Sequence, residues 1–522
     1  MPHDYRRAYG SVRDGRGDRS LYRWGGRRRH RHRTRPERRS VPGRAAGKRR
    51  HGIRPGHAGF YEGESIGQPF KDLTTSRLRF FGGTTNHWGG YCLPLDPIDF
   101  EPRDNFPFHG WPFPKSHLEP WYERAQEVCQ LGRYDYRPEG WGIAPGKVAP
   151  PFAGPHFEIR LLQENGVRFG PVYAPVLQGA PRVSVYLYAN AVHLDGGLAG
   201  GEIGAVSVGT LSGRQFTVRA RVTILAAGGL ENARLLLASG DSGGKGPGNA
   251  HDLVGRYLMV HLAYSAGTIV PANPRGDFDF MASGPYSPDT YRMHPLIGLT
   301  EQTMRERHWP SIMFGWAFRF SPLLGAVEAL KRLAGSGGRK GGTLADLSTV
   351  IGDLEGIASF AMRKALFGQG VPIEALELWG ASEQRPNPLS RVTLGAKRDR
   401  LGVPEIVVDW RLDDEDRRAA AATARLLGAE IGRAGFGRMR PAFGEDDAWP
   451  KDFESNEHHM GTTRMHRDSA QGVVDANCRV HGLANLYVAG SSVFPTGGAS
   501  NPTLTIVALA LRLADHVKQR LA

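Results

Sequence analysis

The end of the chain combines glycine-bounded polar loops with a long apolar segment, and this combination constrains the fold most. Residues 458–465 read HHMGTTRM, and residues 486–496 read LYVAGSSVFPT. Residues 501–505, NPTLT, begin an apolar-periodic segment that continues to the C-terminus and predicts a helix. Rigid elements would therefore hold the histidines of the first stretch and the asparagine of the last.

His458 lies in one of these loops, and Asn501 precedes the predicted helix. The two side chains could form a polar pair over a flat cofactor. Oxidation of an alcohol by hydride transfer needs such a pair, because one group takes the hydroxyl proton and another orients the oxygen. On the residues alone, a structural histidine is equally well supported. An asparagine before a proline is also an ordinary helix N-cap.

Five stretches, in a fixed order, carry a resemblance to a known family. H-x-x-G-T spans residues 458–462, and N-P-x-x-T spans residues 501–505. The others are FFGGTTNHWGG at residues 80–90, ILAAGGLEN at residues 224–232 and EQRPNP at residues 383–388. Together they resemble the glucose-methanol-choline (GMC) family of FAD-dependent oxidoreductases over roughly residues 60–522.

The resemblance implies that FAD is the cofactor and that a CH–OH group is oxidised. His458 would take the hydroxyl proton as hydride leaves for the flavin, and Asn501 would be its partner. The positive end of the helix after Asn501 would stabilise the negative charge of reduced flavin. The residues that the resemblance places beside FAD are Gly82, Gly83, Thr84, Asn86, His87, Gly89, Val192, Gly228, Gly490, Ser491, Pro502 and Thr503. No metal site is expected.

Two positions keep alternatives open. In some relatives, such as pyranose and choline oxidases, a histidine at the position of His87 is bonded covalently to the flavin. Most of the family has no such bond, and the alternative is a histidine packed beside the ring. Glu383 and Asn387 would border the substrate cavity, and a turn before the next strand explains them equally well.

The predicted fold class is α/β, or α+β over the whole chain. A Rossmann-like FAD-binding domain would comprise residues 57–267 and 454–522, and a substrate domain on a mixed or antiparallel sheet residues 268–453. The strands expected are residues 182–194, 219–227, 390–394 and 405–412, the last two in a separate mixed sheet. The helices expected are residues 230–239 and 502–521, and residues 324–367 are helical in pattern.

Composition bounds the remaining possibilities. The 522 residues suffice for two or more domains, and three cysteines indicate neither a disulfide framework nor a metal site. No apolar run is long enough to span a bilayer, and no signal peptide can be identified. A cytoplasmic location is therefore expected, or a periplasmic one if the true N-terminus differs.

The first 56 residues are the anomaly. They hold 18 Arg and one Lys against three Asp and one Glu, so the whole net charge of +15 lies there and the rest is neutral. A flavoprotein of this family should begin with a strand, a glycine-rich turn and a helix that hold the FAD pyrophosphate. No such βαβ unit can be identified, so it is apparently lost. One interpretation is a disordered basic head that binds polyanions.

The other interpretation is that this head is translated out of frame. Arginine and glycine runs are what GC-rich DNA for a Gly/Ala-rich protein gives when it is read one base off. A shift by one base over residues 22–33 permits IVGGGAAGIAIA, and a shift over residues 45–52 permits LLESGGME. These strings would restore a strand with a dinucleotide-binding turn, and the ribose-binding Glu at the expected separation.

These observations predict an FAD-dependent oxidoreductase that acts on a sugar, a polyol or another alcohol. The N-terminal half looks closest to pyranose oxidases and to the flavoprotein subunits of fructose and gluconate dehydrogenases. The electron acceptor, whether oxygen, a quinone or a cytochrome, cannot be identified, and no nucleic-acid partner is expected. The alternatives are an inactive, flavin-free product of a damaged gene and a polyanion-binding protein that acts through the basic head.

Overall fold

The computed structural model describes residues 58–103, 106, 110–141, 152, 154–196, 201–240, 246–276, 278, 292–320, 372–444 and 446–522. All of these belong to one contact unit, Arg54–Ala522. Three predictions lie outside the described residues: the out-of-frame head, the lost βαβ unit within it, and the helical pattern of residues 324–367. The proposed domain boundaries stay a prediction.

Sixteen strands and seven α-helices are present among the described residues. The strands are β1 Gly63–Gly67, β2 Tyr91–Cys92, β3 Phe157–Glu164, β4 Asn190–Gly196, β5 Ile203–Gly209, β6 Gln215–Val218, β7 Thr223–Leu225, β8 Leu262–Pro271, β9 Arg292–Leu299, β10 Ile312–Phe320, β11 Ile373–Ser382, β12 Arg391–Arg398, β13 Pro404–Trp410, β14 Gly437–Pro441, β15 Glu454–Ser455 and β16 Leu486–Val488. The helices are α1 Pro97–Phe100, α2 Lys115–Val128, α3 Phe169–Gly179, α4 Glu231–Ala238, α5 Glu301–Arg307, α6 Asp414–Arg433 and α7 Thr503–Leu521.

The largest sheet is antiparallel and has the order β14-β8-β11-β10-β9-β3-β2, with the short β15 also paired to β8. Apolar residues on the inner face of β8 and β11 are buried, and helix α6 packs on β14 and β8. This face and the buried alanines of α6 form one hydrophobic core. Strands β2 and β3 come from the segment that the sequence assigns to the FAD-binding part.

A separate three-stranded sheet joins distant parts of the chain. Strand β13 pairs antiparallel with β12 and parallel with β1. The sequence predicted strands at residues 390–394 and 405–412 in a separate mixed sheet, and both the strands and the mixed character are confirmed. Trp410, at the end of β13, is fully buried and donates its indole N–H to the side chain of Gln384 at 2.9 Å.

Two small sheets lie in the remaining part. Strands β7 and β16 pair in parallel, and β4, β5 and β6 form an antiparallel meander. The strand predicted at residues 182–194 is wrong over its first half, because β4 begins at Asn190 and the side chains of residues 183–188 include several exposed apolar groups. The strand predicted at residues 219–227 is shortened to β7, because residues 219–222 only connect β6 to β7 and three residues pair with β16.

Helices α2 and α7 pack on each other within a second hydrophobic core. Two polar links fix their register: Tyr122 and Thr505 share a hydrogen bond of 2.8 Å, and Trp121 donates to Asp515 at 2.8 Å. The helix predicted from residue 502 is confirmed with a shift of one residue. Its N-cap is Pro502 rather than Asn501, because the carbonyl of Pro502 accepts the first intrahelical hydrogen bond, from the amide of Ile506 at 2.9 Å. No described helix is long and apolar enough to cross a membrane.

Candidate active site

Backbone hydrogen bonds fasten the loop that carries His458 to the start of strand β8. The amide of Asn456 donates to the carbonyl of His261 at 2.9 Å. On the other side of His458, Met460 and Met259 exchange two backbone hydrogen bonds of 2.9 and 3.0 Å. Because both flanks of His458 are tied to residues 259–261, its side chain is held opposite that of His261.

The imidazoles of His458 and His261 form a hydrogen-bonded pair. Their Nδ1 atoms are 2.8 Å apart, and the rings are edge to face with centroids 4.9 Å apart. His261 is buried, whereas His458 is only half-buried. Burial lowers the pKa of His261 to about 4. Burial, and then the neighbouring His261, His459 and Lys71, lowers the pKa of His458 well below its ordinary value. Both rings are therefore neutral at neutral pH.

The adjacent histidine, His459, faces the interior. It is 6 % exposed, and its ring stacks on Phe70 with centroids 5.5 Å apart. Burial, assisted by the charge of Arg77, lowers the pKa of His459 to about 3. Of the two neighbouring histidines, His458 is thus the one whose ring is accessible to a small molecule.

A close approach of two loops places the His458 loop against the turn after β7. A Cβ atom at Gly229 would lie 2.2 Å from the carbonyl oxygen of His459, so this position requires glycine. The hydroxyl of Thr462 donates to the carbonyl of Gly229, and the hydroxyl of Ser491 donates to the carbonyl of His459 at 2.6 Å. The turns after β7 and β16 are thereby joined to the backbone beside His458.

Asn232 ties together the carboxyl ends of the two parallel strands. Its side chain accepts from the amide of Ala227, after β7, and donates to the carbonyl of Ala489, after β16. Gly228 and Gly490 follow these strand ends with φ angles of 96° and 105°, a backbone conformation that favours glycine. A Cβ at Gly228 would meet no atom of the described residues within 4 Å, so this turn adjoins space that they leave open.

The loop of residues 80–90 is held by its own hydrogen bonds. Asn86 donates through its side-chain amide to the carbonyls of Phe81 and Gly83, at 3.1 and 2.9 Å. Gly82 has a φ of 89°, and a Cβ there would lie 2.6 Å from Gly170. The side chain of His87 is exposed. The pKa of His87 is nevertheless lowered, because the partial burial of its ring outweighs the charge of Glu457. The other predicted residues of this loop have these exposures: Gly83 is half-buried, and Thr84 and Gly89 are exposed.

The segment before helix α7 passes beside His261. The Nε2 atom of His261 is 3.5 Å from the carbonyl oxygen of Gly497. Asn501 is half-buried, and its side chain makes no hydrogen bond with the described part of the chain. Of the two predicted residues that follow, Pro502 is buried and Thr503 is half-buried.

Glu383 holds the segment before helix α7 through a hydrogen bond to Gly498. It is fully buried, and Arg103 donates two hydrogen bonds of 2.8 and 2.9 Å to its carboxylate. The amide of Gly498 donates to the same carboxylate at 3.1 Å. Glu383 is therefore saturated by the protein. Asn387 accepts from the amide of Leu389 within a turn before β12, in agreement with the alternative interpretation.

Val192 lies apart from these loops, on strand β4. It is half-buried and occupies an irregularity in the pairing with β5, between Ala191 and His193. The described residues contain no group of three or more His, Cys, Asp or Glu side chains that could hold a metal ion. The cysteines Cys92, Cys129 and Cys478 are buried and unpaired.

His261 is the site residue that the sequence motifs did not indicate. It lies 197 positions from His458 and belongs to none of the five stretches. The only signal was a polar residue that interrupts an apolar run, YLMVHLAY, immediately before strand β8. Such a residue needs a buried polar partner, but nothing local identifies that partner.

Residues 386–510 match the family model for GMC oxidoreductases. The 2-methyl-1,2-propanediol dehydrogenase of Mycolicibacterium austroafricanum is 25 % identical, with 87 % of this chain and 83 % of that protein covered. The fructose dehydrogenase large subunit of Gluconobacter japonicus is 24 % identical, with 84 % and 80 % covered. Pyridoxine 4-oxidase from Mesorbium loti shares the fold with a TM-score of 0.53 and 18 % identity, with 85 % and 84 % of the two chains covered.

Proposed function

The chain belongs to the GMC oxidoreductase family, and from this premise we propose that it oxidises a CH–OH group of a sugar or polyol with His458 as the base. The observation that carries the proposal is the state of His458. Its ring is half-buried, neutral and held by a buried partner, as a proton acceptor at neutral pH must be. The names of two relatives, a diol and a fructose dehydrogenase, support this substrate class.

FAD is the cofactor of this family, and the described residues fit its flavin half. A Cβ at Gly83 or Gly228 would meet no atom of the described part of the chain within 4 Å, and both glycines have φ angles that favour glycine. The open space at Gly228 adjoins the His458 loop, because the neighbouring Gly229 packs against the carbonyl of His459. The residues that we propose to hold FAD are Gly82, Gly83, Thr84, Asn86, His87, Gly89, Val192, Gly228, Gly490, Ser491, Pro502 and Thr503. The family's pyrophosphate cradle would precede these residues, and the sequence of residues 1–56 contains no such unit.

Bound FAD supplies the hydride acceptor for the carbinol carbon. His458 takes the hydroxyl proton, and its lowered pKa keeps the ring unprotonated at neutral pH. Asn501 orients the substrate oxygen, because its amide is not engaged by the described part of the chain and follows the segment that contacts His261. The N-terminus of helix α7 begins two residues after Asn501 and favours negative charge there.

His87 governs how the flavin is attached. Its exposed imidazole would either carry a covalent bond to the ring or pack beside it. Acid precipitation of the protein separates these possibilities, because covalently bound flavin stays in the pellet and non-covalent flavin is released. His87→Ala would abolish retention of flavin in the first case and leave full release unchanged in the second.

The function is tested on purified full-length protein with an artificial electron acceptor. We expect a flavin absorption spectrum that sugars or polyols bleach under anaerobic conditions. His458→Asn should lower kcat about 100-fold or more, the scale of a lost general base, while His516→Asn on the outer part of α7 should not. A colourless protein would favour the damaged-gene alternative. Salt-dependent binding of a colourless protein to DNA would favour the polyanion-binding one.

A further inference from the structure

We propose that His261 is a positioning residue that fixes His458 in one tautomer, with the proton on Nδ1 and the lone pair of Nε2 free to act as the base. This inference deepens the proposed function and rests on it for the role of His458. It concerns a residue outside the motifs of the sequence. The tautomer follows from the hydrogen-bonding groups that surround the imidazole rings of His458 and His261.

The backbone fixes the geometry of the pair formed by His458 and His261. The hydrogen bonds of Asn456 and Met460 to residues 259–261 fix the backbones on both sides of His458. The Nδ1 atoms of the two rings then meet at 2.8 Å with the rings edge to face. At this distance one of the two nitrogens must carry a proton and the other must be bare, because two lone pairs or two N–H groups would repel.

The second step decides which nitrogen carries the proton. The other nitrogen of His261, Nε2, faces the carbonyl oxygen of Gly497 at 3.5 Å. A carbonyl oxygen can only accept, so His261 carries its proton on Nε2. The adjacent Gly498 amide donates to the buried Glu383, which keeps this carbonyl in place. A neutral imidazole has a single N–H, so Nδ1 of His261 is bare and accepts from His458.

The third step is that both rings stay neutral. His261 is 1 % exposed, and no carboxylate contacts either imidazole in the described residues. The charged or titratable groups that face the pair are Lys71 and His459 on the side of His458, and Glu383 on the side of His261. Glu383 forms a salt bridge with Arg103, and this bridge offsets the negative charge that would favour protonation of His261. His458 consequently presents the bare Nε2 outward.

The tautomer can be read directly, without turnover. We would label the full-length chain with ¹⁵N-histidine and record long-range ¹H–¹⁵N spectra at pH 7.5. His261→Asn and His458→Asn spectra would identify the two rings among the 19 histidines. The expected result is a protonated Nδ1 on His458 and a protonated Nε2 on His261. A protonated Nε2 on His458, or a charged ring in either residue, would overturn the proposal.

Matched substitutions at position 261 give the second readout. Asparagine places its carbonyl oxygen near the former Nδ1 and can still accept from His458. Glutamine places its amide near the former Nε2, so it keeps the donor to Gly497 and loses the acceptor. We expect His261→Asn to keep the tautomer of His458 and kcat within about threefold. His261→Gln should mix the tautomers and lower kcat about 100-fold with little change in KM, as the loss of a positioned base does.

The outcomes separate this proposal from the proposed function. Equal kcat and equal His458 spectra in the Asn and Gln variants would contradict the positioning role. The expected tautomers in a protein that oxidises no sugar, polyol or other alcohol would contradict the function and leave the positioning role intact. Thermal unfolding of both variants would show that each is folded. The NMR readout on the unsubstituted chain decides the proposal even if neither variant folds.

Discussion

Two adjacent histidines, His458 and His459, show how a single position along the chain changes a residue's role. Met460, the residue after them, pairs with Met259 in an antiparallel bridge, and in such extended backbone successive side chains face opposite ways. His458 reaches the buried His261 and remains accessible, while His459 stacks on Phe70 in the interior. The side chain of His459 has no hydrogen bond at Nε2 within the described residues, so it contributes packing rather than chemistry.

A pair of substitutions tests this division. His459→Phe keeps a flat ring against Phe70 and removes an unpaired buried nitrogen, so we expect unfolding free energy to stay level or rise by about 1 kcal/mol. Turnover should stay within about threefold of the parent. His458→Phe should abolish turnover without lowering the unfolding midpoint by more than a few degrees. Steady-state kinetics measure the turnover of the two variants, and thermal unfolding measures their stability. If only the His459 variant lost turnover, the base would be His459 and the proposed role of His458 would be wrong.

Asp99 is a buried carboxyl group whose ionisation works against folding. It is fully buried, and burial, followed by the nearby Glu383, raises its pKa to about 8. The folded chain therefore holds this proton where the unfolded chain has lost it. Since the unfolded state binds fewer protons between about pH 4 and pH 8, the contribution of Asp99 to stability falls as pH rises through that window.

We expect Asp99→Asn to remove this part of the pH dependence. Between pH 5 and pH 8 the variant should gain on the order of 2 kcal/mol in unfolding free energy relative to the parent chain. Chemical denaturation at the two pH values measures the difference. Asp468→Asn is the control, because that side chain is exposed. A constant difference between Asp99→Asn and the parent at both pH values would show that Asp99 is ionised throughout.

At the scale of elements, the site is made where the turns after β7 and β16 meet the His458 loop. Gly229 permits the approach, since a Cβ there would lie 2.2 Å from the carbonyl oxygen of His459. We expect Gly229→Ala to displace the loop and to cost about 1–3 kcal/mol of stability, as overpacking does. Turnover should fall because His458 belongs to the displaced loop.

The matched control is Gly432→Ala. Gly432 lies in helix α6 and is exposed, and an added Cβ there would meet no atom of the described residues within 4 Å. This substitution should raise stability by about 0.5–1 kcal/mol, because alanine is the better helix former. Thermal unfolding of the two variants side by side makes the comparison. Equal stabilities would mean that the His459 carbonyl can move away at no cost.

The sequence predicted those elements whose signals are local and long. Helix α7 and the strands β12 and β13 have clear apolar periods, and they were found within a few residues. The length of strand β7 was overestimated, because only three residues pair with β16 and the four residues before them, 219–222, form the connection from β6. Residues 182–189 alternate like a strand, yet they form none, because alternation predicts a strand only where a partner strand is available.

For the candidate site too, the sequence indicated the parts that have local motifs. Five motifs indicated the His458 loop, the glycine turns and the segment before α7. His261 could not be predicted, because its contact with His458 spans 197 positions and depends on how β8 and the loop pair. The sequence left two interpretations open for Glu383, and it gave no sign that the carboxylate accepts hydrogen bonds from Arg103 and Gly498. Long-range hydrogen bonds of this kind leave no local pattern.

At the scale of the whole molecule, three neutral histidines, two of them buried and His458 half-buried, set the acid limit of the fold. The pKa values of His261 and His459 are lowered to about 4 and about 3, and that of His458 is lowered well below its ordinary value. The unfolded chain takes up these protons near pH 6.5, and the folded chain does not. Stability is therefore present above about pH 6.5 and is lost as pH falls toward 4.

We expect unfolding free energy to fall by several kcal/mol between pH 6.5 and pH 4, with about 2–3 kcal/mol from His261 alone. Denaturant titrations at half-unit steps measure this slope. His261→Asn should make it shallower, because asparagine cannot take up the proton. A slope that is unchanged in this variant would place the His261 ring in an environment that tolerates its charge.

The remaining question at this scale is what completes the parallel sheet. Among the described residues β7 pairs only with β16, and a sheet of two strands is marginal by itself. Ile224 on β7 is 43 % exposed, although a strand in the middle of a Rossmann sheet buries both faces. The restored reading of residues 22–33 would supply an apolar strand followed by a glycine-rich turn, which is what this part of the molecule lacks in the described residues.

We therefore expect the chain with its frame restored to purify with FAD close to one per protein, and the chain as it stands to hold far less. The reason is that the pyrophosphate would gain backbone amides at a helix N-terminus, and FAD binding would itself stabilise the fold. Flavin absorbance per protein and the unfolding midpoint with added FAD measure both effects. Deleting residues 1–56 is the control, because it removes the basic head without adding a cradle. If all three chains hold equal flavin, the C-terminal turns bind it unaided and the out-of-frame interpretation loses its functional support.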